Sequence, residues 1–374
     1  MAVALLEEFG AADVRERDEA WRYSKTALRA LSQNDFALAD GDAPVAQNLR
    51  DRFEWPATQR SRIVFVNGVF ADALSDLTAI AAAVSFERSD NSHSTLTIAG
   101  DVAEPVHVVY LHVPGSVPVR WSGSLDVVVK TGSAQLIEHH LGESGAEVLG
   151  ALASNWSVAA QASLQATTVC DLPESVSLYR RLRTSVSDGA KLDTTHVLLG
   201  SRLQRHDIVV DLAGKDSRFD SRGVFALIGR QHVDTQMKVT HSARDTACDI
   251  VWRGIADERS RGIFHGAITV ARGADGADAQ LSNKNLLLSA QAEIDTQPVL
   301  EIYADEVKAA HGATVGQLDE RALFYLRSRG IGIAEARRML VGAFSTVAIE
   351  RVPQSWLREQ LLVLLARRIG GGGA

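Results

Sequence analysis

The chain has 374 residues, of which 46% are hydrophobic, and a formal net charge of -7. That length exceeds one small core and fits either one extended architecture or two to three domains. The acidic balance argues against nucleic acid as the main partner, because phosphate binding favours a basic face.

Residues 1–10 carry no basic stretch, and Glu7 and Glu8 interrupt their apolar run, so no secretory signal is expected there. Residues 11–31 interleave Arg15, Glu16, Arg17, Asp18 and Glu19 with Val14, Trp21, Leu28 and Leu31, the pattern of an amphipathic helix pair. Residues 34–48 hold Gly, Pro and Asp and read as a loop. The helical region is expected to span residues 1–56 and a β region residues 57–316.

From about Arg62 the hydrophobic period becomes two. Strands are expected at 63–66, 95–98, 106–111, 125–130, 207–212, 236–240 and 263–270. Gly68, Gly100, Gly132, Gly214, Gly229 and Gly273 punctuate them. Helical patterns are scarce in this region, and residues 75–84 are one candidate. Scarce helices exclude a parallel α/β sheet, whose crossovers need them. A sandwich, a barrel or a β-solenoid remains. Small and polar residues inside the runs, as in 159–166, favour a solenoid, in which like side chains ladder. Asn283 and Asn285 read equally as such a ladder or as turn residues. No fixed-length repeat is visible.

A helical module is expected over residues 317–374. Asp319 is a suitable N-cap with Glu320 in the first turn, and Gly330 can end the helix. A second helix, about 334–349, places Ala336, Met339, Leu340, Ala343, Phe344, Val347 and Ala348 on one stripe. Pro353 opens a third, with Leu357, Leu361, Leu364, Leu365 and Ile369. No uninterrupted apolar run approaches the ~18 residues of a membrane helix.

Chemistry-bearing motifs are sparse. No phosphate loop, GxGxxG, HExxH or GxSxG occurs. Cys170 and Cys248 are far apart, without ligand spacing, and read as small buried hydrophobes in a reducing cytoplasm. His139 and His140, as neighbours in a strand, point to opposite faces and so read as solvated side chains rather than joint ligands. His241 and His265 are expected to be structural. His311 differs. It lies where the strand region meets the helical module, among Ala309, Ala310 and Gly312, so its imidazole is open to a metal or a partner chain. A histidine that caps the last rung by hydrogen bonding is the competing reading. Asp305 and Glu306 offer oxygen ligands nearby or simply a solvated strand end.

Residues 262–333 carry a family resemblance, centred on SNKNLLLSAQAEIDTQPVLEIYADEVKAAHGATVG at 282–316 and YLRSRGI at 325–331. This stretch resembles the C-terminal core of the SufB/SufD family, scaffold subunits of an iron–sulfur cluster assembly machine. EAWRYSKTAL at 19–28 and IVFVNGVFADALS at 63–75 are weaker echoes. The resemblance implies a mainly β protein, a right-handed parallel β-helix flanked by N-terminal and C-terminal helical domains.

Within the family the chain looks most like SufD. Many members carry a KCSHGATVG pattern. Here Lys308, Ala309, Ala310 and His311 stand at those positions, so the thiol, the preferred cluster ligand, is missing at Ala309. The resemblance therefore implies a cytoplasmic, non-catalytic scaffold subunit with no stably bound cofactor of its own. His311 would be a ligand to a nascent iron–sulfur cluster at an interface with SufB. SufB would pair through the last rungs of the β-helix. SufC, an ABC-type ATPase, would dock on the helical domain and alone handle ATP. Tyr325, Arg327, Arg329 and Gly330 are the candidates for the SufC-facing surface. Three alternatives stand beside this. One is a SufB-like subunit that binds a cluster through Cys170 or Cys248. Another is a homodimeric interaction protein that pairs through the same edge. The third is a solenoid enzyme such as a polysaccharide lyase, for which a secretion signal and an acidic groove would be expected.

Overall fold

A computed structural model of the protein describes residues 21–40, 44–45, 49, 61–78, 80 and 82–370. The expectations for residues 1–20 and for most of 41–60 lie outside the described residues. The fold is mainly β, with strand at 52% and helix at 15%.

The strands alternate between two sheets. One sheet runs from His93–Ala99 through Val119–Thr131, Val148–Val158, Val176–Val186, Leu203–Leu212, His232–His241 and Arg261–Val270 to Glu293–Ile302. The other runs from Arg62–Val66 through Val106–His112, Ser133–Gly142, Ser163–Asp171, Lys191–Leu198, Arg218–Leu227, Ala247–Ala256 and Asp278–Leu287 to Lys308–Gly316. Neighbours along these series are parallel. The chain thus visits each sheet once per turn and forms a β-solenoid of about eight turns. His196, Gly223, Trp252, Asn283 and Ala313 share one ladder position, so successive turns take 27, 29, 31 and 30 residues. That variation hides the repeat from a sequence scan.

Corners stack backbone on backbone. At Gly132, φ is +78°, and a Cβ would lie 2.3 Å from the carbonyl carbon of Gly100 in the turn before. Only glycine fits both demands.

Inward-facing side chains build one continuous apolar column, including Leu136, Leu164, Leu192, Phe219, Ile250 and Leu281. One ionic cluster interrupts it. Arg180 donates to both carboxylate oxygens of Glu138, at 2.7 and 2.5 Å, and Nε2 of His140 lies 2.7 Å from the same carboxylate. Burial alone would raise the Glu138 carboxyl. The Arg180 guanidinium and His140 outweigh it and hold the group well below the usual carboxylate range.

The two ends differ. At the first turns, Val69–Phe70 and Val84–Arg88 add antiparallel to the sheets, and Phe65, Phe70, Phe86 and Tyr110 close the bore with mutually packed rings. At the last turn no described strand covers either sheet. Residues 75–84 form no helix among the described residues. Ser75 Oγ donates to the Ala71 carbonyl and accepts from the Val64 N–H, while Asp76 bridges Arg62. Such side-chain bonds to backbone compete with helix formation.

Helix α1 (Lys25–Leu31) packs on the outer face of the first sheet. There Trp21, Leu28, Leu31 and Phe36 meet Leu149, Ala151, Tyr179 and Leu203. Ser24, fully buried, donates to Asp234 at 2.6 Å and lies 2.9 Å from Nε2 of His232.

Helices α2 (Glu320–Ser328), α3 (Ile333–Thr346) and α4 (Ser355–Gly370) form the C-terminal module. Leu357, Leu361 and Leu365, one turn apart, bury against Ile137, Val169, Val197 and Val224 on the outer face of the second sheet. Arg368 with Asp171, at 3.0 Å, and Arg351 with Asp220, at 3.6 Å, tie the module to the solenoid. The expected stripe of α3 is out of phase in part. Ala336, Val341 and Ser345 are buried, whereas Met339 is 46% exposed and Ala343 is exposed.

Candidate functional site

Three features meet at the uncapped end. The first is the edge itself. Among the described residues, Lys308–Gly316 pairs only with Asp278–Leu287, and Glu293–Ile302 only with Arg261–Val270. The far side of each strand presents backbone groups without a ladder partner, which invites another strand. Ile302, Tyr303 and Val315 add exposed apolar side chains there.

The second feature is His311. It is exposed and sits in mid-strand, in register with Leu281, a core residue. Ladder partners share a face. His311 therefore occupies the inner side of the strand, at the level where a further turn would otherwise cover it. Asp305 and Glu306, both exposed, lie in the turn before this strand, where the Asp305 N–H donates to Asp275 at 3.2 Å. Among the described residues no group of three or more His, Cys, Asp or Glu side chains is placed to hold a metal ion. The structure therefore does not join Asp305 and Glu306 to His311 as one ligand set.

The third feature is the start of the helical module, which follows His311's strand after only Gln317, Leu318 and Asp319. The Asp319 carboxylate accepts from the Arg321 N–H at 2.9 Å and caps α2. Gly330, at φ +86°, ends that helix in the left-handed conformation. Tyr325 is 58% exposed with the Arg329 guanidinium 5.3 Å from its ring, and Arg327 is exposed. The four residues expected on a partner surface thus share one end of α2. Phe324, a large apolar residue that would ordinarily pack inward, is 73% exposed beside Tyr325. Only Leu323 of this helix is buried, and two adjacent rings on so short a buried face were the available signal. A cleft of about 420 Å³, lined in part by Leu288, Ser289, Gln317, Ile333, Arg337 and Val341, separates the module from the last turns.

Other candidates are elsewhere. Cys170 and Cys248 are buried, as expected, and burial pushes both thiols up, that of Cys248 to about 12. Nε2 of His241 lies 3.2 Å from the Cys248 sulfur and Nδ1 lies 2.8 Å from Thr246 Oγ1, an internal contact between uncharged groups. His139 and His140 do face opposite ways. Neither is solvated: they are 1% and 0% exposed. His140 joins the Glu138 cluster, and His139 packs beside His107 under Trp356 of α4.

Comparison with known proteins assigns the chain to a family. Residues 121–344, more than half of the chain and reaching from the solenoid into α3, match the family described as SUF system FeS cluster assembly, SufBD core domain. The chain belongs to the SufBD family. It is 28% identical to the iron–sulfur cluster assembly protein SufD of Escherichia coli, over 95% of this chain and 89% of that protein. It is 27% identical to a SufBD family protein of Synechocystis, over 94% of this chain and 88% of that one. A chloroplastic protein of Arabidopsis thaliana, ABCI7, is 30% identical over 46% of this chain and 36% of its own length. Membership gives this SufBD chain a role in SUF iron–sulfur cluster assembly. No helix among its described residues is long and apolar enough to cross a membrane.

Proposed function

We propose that this chain is a SufD-like, non-catalytic scaffold subunit that pairs with SufB through its bare solenoid end and docks the SufC ATPase on its helical module. The observation that carries the reading is continuity. One short segment holds the exposed edge strand, His311 in that strand, and, three residues later, a helix with exposed Phe324 and Tyr325. A partner bound at α2 can pull on the pairing edge through residues 317–319, and the cleft beside the module leaves room for that movement.

In this reading His311 supplies a nitrogen ligand to a nascent iron–sulfur cluster, which is the cargo of the assembly rather than a resident group. The thiolates come from SufB. Both cysteines of this chain are buried, and burial pushes their thiols up, which disfavours the SufB-like alternative in which Cys170 or Cys248 binds the cluster. Tyr325, Arg327, Arg329 and Gly330 lie in the SufC-facing surface, and ATP is handled by SufC alone. The setting is the cytoplasm. The bare edge also favours one second reading, a homodimer of the isolated chain paired along the same strands.

The test is anaerobic co-expression with SufB and SufC, with only this chain tagged, followed by native mass spectrometry and cluster absorbance. Both partners should co-purify. His311→Ala should leave the complex intact and lower cluster yield at least tenfold. Recovery of neither partner would overturn the scaffold reading, and full cluster yield in the variant would remove His311 from the site.

A further inference from the structure

We infer that Asn283 and Asn285 form an internal clasp that fixes the last turn of the solenoid, and with it His311, on the body. The link to cluster assembly rests on the function proposed above, but the clasp itself does not.

The last turn keeps its backbone ladders to the turn before but buries few side chains. Strand Asp278–Leu287 buries four inward side chains: Ala279, Leu281, Asn283 and Asn285. In Glu293–Ile302 only Ile294 is buried, and in Lys308–Gly316 no residue is. Burial of apolar surface therefore contributes little to seating residues 293–316.

Hydrogen bonds replace it. Asn283 and Asn285 are 0% and 2% exposed and sit inside the solenoid rather than in a turn. Nδ2 of Asn285 donates to Oδ1 of Asn283 at 2.6 Å and to the Thr314 carbonyl at 3.0 Å. Thr296 Oγ1 donates to the same Asn283 oxygen at 2.7 Å. One pair of amides thus reaches both strands of the last turn, Thr296 in the first sheet and Thr314 in the second. On the other side, Asn283 donates toward the Trp252 carbonyl at 3.4 Å. Gly254 makes the room, since a Cβ there would lie 2.2 Å from Oδ1 of Asn285. Thr314 is three residues from His311, so a fixed Thr314 carbonyl sets the strand from which the imidazole projects.

The two amides have different duties. Asn283 accepts from Asn285 and from Thr296 of the last turn, whereas Asn285 acts only as a donor, to Asn283 and to Thr314. Asp is nearly isosteric with Asn and keeps the acceptor while losing the donor. Hydrogen–deuterium exchange on the full chain, at concentrations where it is monomeric, separates a clasp from mere filling. Asn285→Asp should speed exchange in residues 308–316 about tenfold, Asn283→Asp by about threefold or less, with residues 191–256 unchanged in both. Asn285→Leu, which removes the donor without adding charge, should match Asn285→Asp and stands in if that variant does not fold. Equal effects of the two Asp variants, no effect, or loss of protection throughout the solenoid would overturn the clasp. Because exchange needs no partner, failure of the wild-type chain to bind SufB would count against the proposed function alone.

Discussion

His107, His139, His196, His232 and His241 are buried in or against the solenoid. Burial holds their imidazoles down, to about 4, 3, 3, 4 and 4. In the unfolded chain such groups take up a proton near pH 6.5. Between that pH and about 4 the unfolded state binds more protons than the folded one. Stability is therefore fully present above pH 6.5 and falls as pH drops below it, by up to about 1.4 kcal/mol per pH unit for each such histidine. Denaturant midpoints measured from pH 8 to 5 should be flat and then decline. His196 stacks on Trp252 at 5.4 Å, so His196→Phe should keep the packing and flatten part of the slope. An identical slope in that variant would refute the account. The same burial explains a misreading. The strand alternation at His139 and His140 was legible, but a period-two pattern cannot reveal that the core covers one face and α4 the other. The exposure of His311 was legible because its small neighbours leave the imidazole uncovered.

At the scale of elements, caps and stops were plain in the sequence. Asp319 and Gly330 are where the chain alone places them, because each meets a local backbone demand. The phase of α3 was not, because its buried face depends on how the helix lies against α2 and α4. Similarly, Ser75, whose hydroxyl bonds the backbone of Ala71 and Val64, shows how such bonds defeat a helical hydrophobic pattern. Helix α4 is the anchor of the module. Leu361 is fully buried at its middle, so Leu361→Ala should cost about 2–5 kcal/mol. We expect that loss to fall on the module. Limited proteolysis should cut within 317–370 while the far-ultraviolet β signal persists. Simultaneous loss of both would mean that the solenoid needs its helices to stand.

At the scale of the molecule, the solenoid was legible in outline from its unbroken short strands, small polar insertions and glycine punctuation. The contrast between its ends was not, because no local pattern says which strand is last in a sheet. That contrast predicts behaviour. Ala310 and Thr314 are exposed on the terminal strand, and lysines there should blunt it. Ala310→Lys with Thr314→Lys should abolish pairing, with SufB or with a second copy, as read by sedimentation velocity. Thermal stability of the monomer should be nearly unchanged, since surface substitutions cost little. Undiminished pairing would place the contact elsewhere.

The aromatic plug at the first turns has one more consequence. Synthesis delivers that end of the chain first, and in a solenoid each turn contacts only its neighbours. The plug then serves as a seed and every finished turn as a growth face, like a crystal extending along a single axis. Residues 308–316 are the last layer this chain can lay down on that face. No described strand caps that face, so under the proposed function the molecule that pairs there also ends the growth. In that reading subunit pairing is the final step of the folding reaction itself.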